Sequence, residues 1–375
     1  MHNVFDSRYA RQLVLKGFGA DAQAKLARAR VLIVGAGGLG SPAAMYLAAA
    51  GIGAITLVDA DVVELTNIHR QLLYGTADVG RFKTEAAQAR LSDINPHVQL
   101  SAHTARFDRA NAAALVAGHD VVLDATDNFP TRYAINDACL AASVPFVYGS
   151  VARFEGQVTI FATPSGPCYR CLFPEPPAPG AVPSCAEEGV LGLVPGIIGL
   201  HQALETIKLL TGIGTPLAGR LMLLDLLEND TRVITITRRA DCTACGAADV
   251  IPTRRQAMNV NSGPPSFTQQ IPQLSAAELA AQLGSSAPPR VLDVREQWEY
   301  DIAHLEGSQL IPLTDLQATV PTLDKSAEYV LLCHHGMRSE MAAQWMAAQG
   351  FSKVSNLVGG IDAWSQTVNP DLARY

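Results

Sequence analysis

The sequence of 375 residues is poor in aromatic side chains and in positive charge. Aromatic residues make up 6% of the chain, and 28 lysines and arginines against 35 aspartates and glutamates give a net charge of −7. Without a basic surplus for phosphates or an aromatic surface for bases, nucleic-acid binding is not expected. No run approaches the roughly 20 apolar residues that cross a bilayer. The first residues are polar, so we expect a cytoplasmic protein with no membrane segment and no secretory signal.

Two further absences narrow the chemistry. The chain has only seven cysteines, and an odd count in a reducing compartment argues against a disulfide framework. The pattern G-x-x-x-x-G-K-[ST] does not occur, which excludes a P-loop. Apolar residues make up 48% of the chain, enough for a sizeable core, and the length suits about two or three domains.

Short apolar runs alternate with helical segments in the first part of the chain. This alternation predicts an α/β fold with a parallel sheet and right-handed crossovers. The predicted strands cover residues 30–35, 54–59, 120–124, 145–148, 157–162, 221–225 and 231–237, and the predicted helices cover 41–50, 81–94, 131–142 and 197–211. The last helix should end at Gly212, a residue type that favours helix C-termini.

A composition break separates this region from a second one. Residues 247–272 are rich in Asn, Ser, Pro, Gln and Thr and lack periodicity, so we predict a linker between domains at 1–246 and 273–375. The second domain is predicted to be a smaller α/β unit. Its predicted strands cover residues 290–294, 329–333 and 353–357, and its predicted helix covers 339–349.

A glycine-rich turn joins the first predicted strand to the first predicted helix. Its sequence is Gly35-Ala36-Gly37-Gly38-Leu39-Gly40, and Asp59 ends the second strand. Such glycines allow a phosphate to approach a helix N-terminus, and a carboxylate at Asp59 can bond ribose hydroxyls. The turn therefore predicts a nucleotide site. The alternative is a tight turn that only packing requires.

Polar residues after Asp59 favour ATP over NAD. Asn67, Arg70 and Gln71 follow the second strand, Lys83 opens the next helix, and Asp127 follows a later strand. Triphosphates need cationic and amide donors, and an aspartate at this edge could hold Mg²⁺. Taken singly, Lys83 could be an exposed helix charge and Asp127 a helix N-cap.

The motif combination resembles the MoeB/ThiF-type activating enzymes, the bacterial relatives of ubiquitin-activating enzymes. The resemblance covers residues 6–246 and is carried by Arg8-Tyr-x-Arg11-Gln12, Gly35 to Gly40, Asp59-x-Asp61, Asn67-x-x-Arg70-Gln71, Lys83 and Asp124-x-Thr-Asp127-Asn128. It implies a Rossmann-like ATP-binding fold and adenylation of the C-terminal Gly-Gly carboxylate of a small ubiquitin-like sulfur carrier.

The resemblance also implies roles for these residues. The glycines at 35, 37, 38 and 40 cradle the nucleotide and Asp59 binds its ribose. The triphosphate contacts are Asn67, Arg70 and Lys83, with Gln71 nearby. Asp127 handles Mg²⁺. Arg11 reaches the phosphates from the partner subunit, which implies a homodimer.

Four cysteines form two C-x-x-C pairs, Cys168 with Cys171 and Cys242 with Cys245. Four thiolates make a closed tetrahedral Zn²⁺ site without an open position, so we predict structural zinc. The alternative is redox use of one pair, as in thioredoxin.

Two other cysteines lie outside these pairs. Cys185 lies in a predicted loop, where relatives can carry a thioester or an acyl disulfide; it is a candidate catalytic thiol or an auxiliary residue. Cys139 lies inside a predicted apolar helix and is interpreted as a core residue.

The seventh cysteine, Cys333, lies between a predicted strand and helix. Backbone N–H groups of that turn favour its thiolate, and Arg338 adds a cation, so Cys333 could carry sulfur as a persulfide. A buried core cysteine is the alternative, and His334 and His335 are interpreted as loop residues. The region 272–373 resembles the rhodanese sulfurtransferases.

The rhodanese resemblance rests on a set of motifs. They are Asp293-Val-Arg295-Glu296, Trp298-Glu299-Tyr300, His304, Pro312, the Cys333 to Arg338 loop and Val358-Gly-Gly-Ile-x-x-Trp364. Asp293, Arg295 and His304 are expected to be structural. Phosphatases of the same fold carry C-x₅-R, whereas this loop is C-x₄-R, which suits a single sulfur atom.

The two halves together predict one pathway. The first adenylates a sulfur carrier, most closely that of molybdenum cofactor biosynthesis, the small subunit of molybdopterin synthase. The second, loaded by an upstream persulfide donor, delivers sulfur from Cys333 to give a thiocarboxylate. The alternatives are an NAD-dependent oxidoreductase with a sulfurtransferase tail and a carrier-binding scaffold without turnover.

Overall fold

A computed structural model describes residues 7–177, 189–246 and 271–374. The described residues form two compact units. The first covers 25–246, and the second contains 271–374 together with 7–24. In the second unit, Tyr9 and Leu13 belong to the same buried cluster as the C-terminal core. The predicted linker lies almost entirely outside the described residues, so the predicted domain boundaries stay a prediction.

The first unit is built on an eight-stranded sheet. Its strands are β1 (Arg30–Val34), β2 (Ala54–Val58), β3 (Gln99–His103), β4 (Val121–Asp124), β5 (Phe146–Ala152), β6 (Glu155–Phe161), β7 (Arg220–Asp225) and β8 (Asp230–Thr235). Their order is β3-β2-β1-β4-β5-β6-β7-β8. The first five are parallel, and β6, β7 and β8 continue the sheet antiparallel. The predicted α/β class is confirmed.

Helices cover the parallel strands. In chain order the described helices are α1 (Ala10–Leu13), α2 (Gly19–Arg28), α3 (Gly40–Ala50), α4 (Lys83–Ile94), α5 (Ala112–Val116), α6 (Phe129–Ala142), α7 (Tyr169–Leu172), α8 (Leu193–Thr211), α9 (Ala276–Leu283), α10 (Gln297–Ile302), α11 (Leu313–Thr319), α12 (Met337–Ala348) and α13 (Gly360–Thr367). Helix α8 ends at Gly212 with φ +80°, as predicted, since glycine adopts this left-handed conformation without strain.

The central strands are apolar because both of their faces are covered. Every residue of β4 is buried, and in β1 only Arg30 is exposed. These strands were predicted within one residue at each end. Strand β3 was not predicted, because it lies at the sheet edge and its sequence is half exposed and polar.

The second unit holds a smaller parallel sheet of five strands. They are β9 (Gln273–Leu274), β10 (Arg290–Asp293), β11 (Gln309–Leu310), β12 (Tyr329–Leu332) and β13 (Val354–Leu357), in the order β11-β10-β12-β13-β9. All four residues of the central strand β12 are buried. Across the described residues of both units, no helix has the length and apolar composition of a membrane-crossing segment.

Candidate functional site

The glycine-rich turn leaves β1 at its carboxyl end. Gly35 has φ +95°, and a Cβ placed on it would lie 2.6 Å from the carbonyl oxygen of Ala125. A Cβ on Gly40 would lie 2.0 Å from the carbonyl oxygen of Gly35. Packing alone therefore requires glycine at these two positions. Gly37 differs, because the nearest atom to a Cβ placed there is Nε2 of Gln71, at 3.6 Å. A Cβ at Gly37 would therefore meet the protein only at an ordinary van der Waals distance, and packing does not require glycine there.

Asp59 anchors this turn to the end of β2. Its Oδ2 accepts a hydrogen bond from the backbone N–H of Ala36 (2.7 Å), and its Oδ1 accepts one from Asp61 (2.8 Å). Burial raises the pKa of Asp59, and the nearby charge of Lys83 opposes that shift. Each carboxylate oxygen keeps a second lone pair that can accept from a ribose hydroxyl.

Tyr74 also holds the turn, although no sequence motif marks it. Its hydroxyl donates to the carbonyl oxygen of Ala36 at 2.8 Å, and the side chain is buried. The Ser41 hydroxyl donates to the same oxygen at 3.3 Å. The turn is thus fixed by side chains from three segments of the chain.

Lys83 is the first residue of α4, as predicted, but it is not an exposed helix charge. Its side chain is 7% exposed, and Nζ donates to Oδ2 of Asp61 at 2.8 Å, whose side chain is 71% exposed. The exposed-charge alternative is therefore wrong. A buried ammonium with one exposed carboxylate partner can exchange that partner for a phosphate.

Arg70 and Gln71 border the glycine turn. The Cδ of Arg70 lies 3.7 Å from a Cβ placed on Gly38, and its Nη1 donates to the carbonyl oxygen of Thr66 at 2.9 Å. Gln71 is buried, and its Oε1 has no hydrogen-bond partner within the part of the chain that the structure describes. An unsatisfied buried carboxamide beside the glycine turn fits a position that binds a ligand.

Asn67 lies in the same segment and is buried. Its Oδ1 accepts from the backbone N–H of Glu64 at 3.4 Å, and its Nδ2 donates to the Thr66 hydroxyl at 3.4 Å. Both bonds are long and local. Asn67 shapes the short turn that carries Arg70 and Gln71 toward the glycines.

Asp127 follows β4 in a turn that two buried side chains fix. Asp124 accepts from the N–H and the hydroxyl of Thr126 through Oδ1, at 3.1 and 2.6 Å. Arg132 donates to the carbonyl oxygen of Thr126 through Nη2 at 2.9 Å. Burial raises the pKa of Asp124, and Arg132 opposes that shift.

Asp127 itself is exposed and does not cap α6. The N-cap is Asn128, whose Oδ1 accepts from the N–H of Thr131 at 3.0 Å, so the N-cap alternative for Asp127 is wrong. Among the described residues, the Asp127 carboxylate makes no hydrogen bond or ion pair. Because β2, β1 and β4 are parallel neighbours, Asp59, the glycine turn and Asp127 all lie at one sheet edge.

The remaining candidates of the first predicted domain are not brought to this edge by any described contact. Arg11 lies on α1, in the second unit, and its side chain is exposed, as is that of Arg8. Cys185 lies outside the described residues. Cys139 is fully buried in the core of the first unit, as predicted.

The four predicted zinc ligands form one buried cluster. Their sulfur atoms all lie within 4.8 Å of one another. The Sγ–Sγ distances are 3.9 Å for Cys168 and Cys171, 3.6 Å for Cys168 and Cys242, and 3.4 Å for Cys171 and Cys245. A tetrahedral ion with Zn–S bonds of about 2.3 Å requires sulfurs about 3.8 Å apart. The cluster fits a closed four-thiolate zinc site.

Helix α6 braces one side of this cluster. Oδ1 of Asn136 accepts from the N–H of Tyr169 at 2.8 Å, and Asp137 forms two hydrogen bonds with Arg170, at 3.0 and 2.9 Å. Tyr169 and Arg170 are the two residues between Cys168 and Cys171. The sequence analysis did not single out Asn136 or Asp137.

In the second unit, Cys333 lies between β12 and α12 with its side chain buried. The N–H of Gly336 donates to its Sγ at 3.1 Å, and the Ser339 hydroxyl lies 3.3 Å away. That hydroxyl has one proton and lies nearer to Oδ1 of Asn356, at 2.7 Å. The N–H of Gly336 therefore donates to Sγ, whereas the Ser339 hydroxyl donates to Asn356.

The turn before α13 closes the Cys333 loop from the other side. The carbonyl oxygen of Cys333 accepts from Ile361 at 2.8 Å, and that of His334 accepts from Asp362 at 3.1 Å. A Cβ on Gly360 would lie 2.2 Å from the carbonyl oxygen of Cys333. Two adjacent loop histidines stack on each other, with ring centroids 4.1 Å apart.

Arg338 has a partner that the sequence analysis did not assign. Its Nη1 and Nη2 donate to the two carboxylate oxygens of Glu299, at 2.7 and 2.6 Å. Asp293 and Arg295 form a fully buried ion pair, and Arg295 also donates to the carbonyl oxygen of Ala303 at 2.7 Å. This geometry supports the structural role expected for these two residues.

His304 makes two contacts with the neighbouring Tyr300. Its Nδ1 lies 3.0 Å from the carbonyl oxygen of Tyr300, and the two rings stack with centroids 4.3 Å apart. These contacts lie within one short segment, which fits the structural role expected for His304.

Comparison with known proteins decides the family. The model of the ThiF family matches residues 9–244, more than half of the chain. The chain belongs to the ThiF family. A second model, for rhodanese-like domains, matches residues 275–367 of this ThiF-family chain.

Relatives of known name match nearly the whole chain. A "Probable adenylyltransferase/sulfurtransferase MoeZ" from Mycobacterium tuberculosis is 41% identical over 98% of this chain and 95% of its own length. An "Adenylyltransferase and sulfurtransferase MOCS3-2" from Zea mays is 40% identical over 98% of this chain and 80% of its own length. This ThiF-family chain is accordingly an adenylyltransferase and sulfurtransferase.

A solved structure shares the fold. The crystal structure of E. coli MccB with ATP matches with a TM-score of 0.58 and 24% identity, over 65% of this chain and 76% of that one. At this identity the likeness concerns the fold alone.

Proposed function

We propose that the first unit adenylates the C-terminal Gly-Gly carboxylate of a small ubiquitin-like sulfur carrier. The observation that carries this proposal is the glycine at position 37, which packing does not require and which lies beside the Gln71 carboxamide, with Arg70 bordering Gly38. The nearby Lys83 ammonium is buried against a single exposed carboxylate. A packing turn needs none of these groups, whereas a triphosphate can accept from Nε2 of Gln71, from the Arg70 guanidinium and from the Lys83 ammonium.

In this reaction the residues of the first unit bind the nucleotide and offset the negative charge of its phosphates. Asp59 accepts from ribose hydroxyls, and the turn at Gly37 lets the phosphates approach the N-terminus of α3. Arg70 and Lys83 offset the charge that develops as the carrier carboxylate attacks the α-phosphate and pyrophosphate leaves. No acid or base is required, since a carboxylate is already ionised at neutral pH.

Magnesium would be held at Asp127. Its carboxylate is exposed at the edge where ligands of parallel sheets bind, and an oxygen donor without a protein partner suits this hard cation. The ion would supply charge neutralisation on the phosphates. Structural zinc in the four-cysteine cluster is part of the same proposal, supported by the sulfur spacing.

Arg11 is proposed to serve the nucleotide site of a second copy of the chain. It is exposed on α1, which lies in the unit that does not contain the glycine turn. A contribution from a partner subunit implies a homodimer.

The second unit is proposed to deliver the sulfur. The Cys333 persulfide attacks the carrier acyl adenylate at its carbonyl carbon, forming an acyl disulfide and displacing AMP. A second thiol then attacks Sγ of Cys333. The S–S bond to the carrier breaks, the carrier leaves as a thiocarboxylate, and a disulfide between Cys333 and that thiol remains. Cys185 is a candidate for the second thiol.

The carrier is proposed to be the small subunit of molybdopterin synthase, and the setting the cytoplasm. An upstream persulfide donor loads Cys333. The predicted linker raises the local concentration of the sulfur donor at the adenylate to roughly the millimolar range.

The test separates the two half-reactions. Purified protein with ATP, Mg²⁺ and a Gly-Gly-tailed carrier should exchange labelled pyrophosphate into ATP, and Cys333→Ala should retain this exchange while losing thiocarboxylate formation, read by intact-mass spectrometry. No exchange with any such carrier would refute the proposal. NAD binding without ATP binding, together with no exchange, would favour the oxidoreductase alternative.

A further inference from the structure

The loop that carries Cys333 has a single permanent charge. Between Cys333 and Arg338 only Arg338 carries one, and the histidines at 334 and 335 are the other titratable side chains besides the cysteine. Burial lowers the pKa of His334, and the neighbouring His335 lowers it further, so His334 is neutral at pH 7. Arg338 is therefore the one permanently charged side chain of this loop that can attract an anionic donor.

Glu299 neutralises that charge with a bidentate ion pair. The two hydrogen bonds measure 2.7 and 2.6 Å, and the Glu299 side chain is 5% exposed. The carboxylate is itself fixed, because Oε2 also accepts from the N–H of Glu296 at 3.0 Å, closing the first turn of α10. If Arg338 left, a buried carboxylate would lose its counter-charge, so the pair is expected to persist.

Other charges near the loop are paired as well. Arg295 is bound to Asp293, and Arg374 is bound to Asp362, the residue whose N–H donates to His334. Asp362 also lies 3.9 Å from Nδ1 of His335. These pairs leave the described surroundings of the loop balanced rather than cationic.

We propose that Glu299 determines which sulfur donors load Cys333, by cancelling the charge of Arg338. A dianionic donor such as thiosulfate gains nothing from a neutralised guanidinium, so the site favours persulfides of low net charge, such as cysteine persulfide at −1. Glu299 touches Arg338 and not the reacting sulfur; it is a positioning residue. This inference rests on the proposed role of Cys333 as a sulfur acceptor.

The loading step is balanced without an added reductant. The Cys333 thiolate attacks the outer sulfur of a persulfide R–S–SH, a new S–S bond forms at Sγ, and the donor S–S bond breaks. The donor leaves as R–S⁻ with the electron pair, and Cys333 becomes Cys–S–SH with the proton on the transferred sulfur. With thiosulfate the leaving group is sulfite, which carries two negative charges.

The experiment compares two donors on the full-length protein. Single-turnover loading of Cys333, read as the gain of one sulfur by intact mass, gives the second-order rate constant for thiosulfate and for cysteine persulfide, whose net charge is at most −1. Glu299→Gln should raise the thiosulfate-to-persulfide ratio by about tenfold, since an uncancelled cation then faces a dianion. The increase should shrink at high salt. Glu296→Gln removes the same charge three residues earlier and should leave the ratio unchanged.

A second pair of variants separates charge from shape. Arg338→Gln leaves Glu299 uncompensated and should lower the ratio, and the double variant should return it toward the wild-type value. An unchanged ratio in Glu299→Gln, or an equal change in Glu296→Gln, overturns the inference. If Glu299→Gln does not fold, the ratio in Arg338→Gln decides alone, because an unchanged value there also overturns it. Failure of every donor to load wild-type Cys333 would instead refute the proposed function.

Discussion

Two glycines of the same turn should respond in opposite ways to the same added methyl group. Gly40→Ala places a Cβ 2.0 Å from the carbonyl oxygen of Gly35, whereas Gly37→Ala places one no closer than 3.6 Å to any protein atom. The first change strains the folded protein. The second affects only a ligand that binds next to Gly37.

The distances set the expected magnitudes. At Gly40 the carbon and oxygen would have to separate by more than 1 Å, which in a packed site costs roughly 1–3 kcal/mol or more. At Gly37 the contact is ordinary and φ is not positive, so replacing glycine should change stability by less than about 1 kcal/mol. A phosphate displaced by about 1 Å, however, loses on the order of 100-fold in rate.

The assay measures both quantities for both variants. Urea unfolding gives the free energy of unfolding, and ATP–pyrophosphate exchange with a Gly-Gly-tailed carrier gives kcat/KM for ATP. We expect Gly37→Ala to unfold like the wild type and to lose about 100-fold in exchange. Gly75→Ala serves as the matched control, because Gly75 is exposed, has φ −112°, and a Cβ there would lie 3.9 Å from its nearest contact, Oδ2 of Asp78.

The result for Gly37→Ala also separates the two interpretations of the turn. If this variant keeps exchange within about twofold of the wild type, the phosphates do not approach Gly37. The packing interpretation would then explain the whole motif, and the nucleotide would have to bind elsewhere. A large loss of stability in Gly37→Ala would contradict the ordinary contact distance of 3.6 Å found for a Cβ at this position.

Two further outcomes are expected. Cys245→Ser, or removal of metal by a chelator, should lower both the zinc content and the melting temperature of the protein. Without the ion, the bonds that join the cysteine pair at Cys168 to the pair at Cys242 are lost. An unchanged melting temperature would contradict a structural role for zinc. Burial lowers the pKa of His119 below its ordinary value of 6.5, so the folded state binds fewer protons than the unfolded state. The free energy of unfolding should therefore fall as the pH drops below about 6.5, and His119→Gln should flatten that part of the curve in urea titrations at several pH values; an identical slope in both proteins would contradict it.

The parts of the fold that the sequence predicts are those with one dominant local signal. Strands β1 and β4 are continuous apolar runs because both faces are covered, so the local sequence is enough to locate them. Strand β3 lies at an edge with alternating exposed residues, and nothing in its five residues separates it from a loop. Its strand character comes from pairing with β2.

The residues of the candidate site also differ in whether a local sequence signal predicts their role. Adjacent residues Asp127 and Asn128 are both good N-caps by type, and only the three-dimensional turn assigns the cap to Asn128. The pair of Glu299 and Arg338 spans 39 positions along the chain, so no local pattern reports it. The four cysteines were predictable because metal ligands need a fixed residue type and spacing. An ion pair needs no fixed spacing along the sequence, so its partners cannot be found from a motif.

One helix connects the two features of the first unit that were predicted separately. Helix α6 begins at Phe129, two residues after Asp127, and one turn later its Arg132 donates to the carbonyl oxygen of Thr126. A further turn along, Asn136 accepts from the N–H of Tyr169, inside the first cysteine pair. A rigid helix cannot shift at one end without moving the other, so the bond at Asn136 and the turn at Thr126 constrain each other. The four-cysteine cluster therefore stabilises more than the chain end that it closes, because it helps to fix the direction in which Asp127 leaves the sheet.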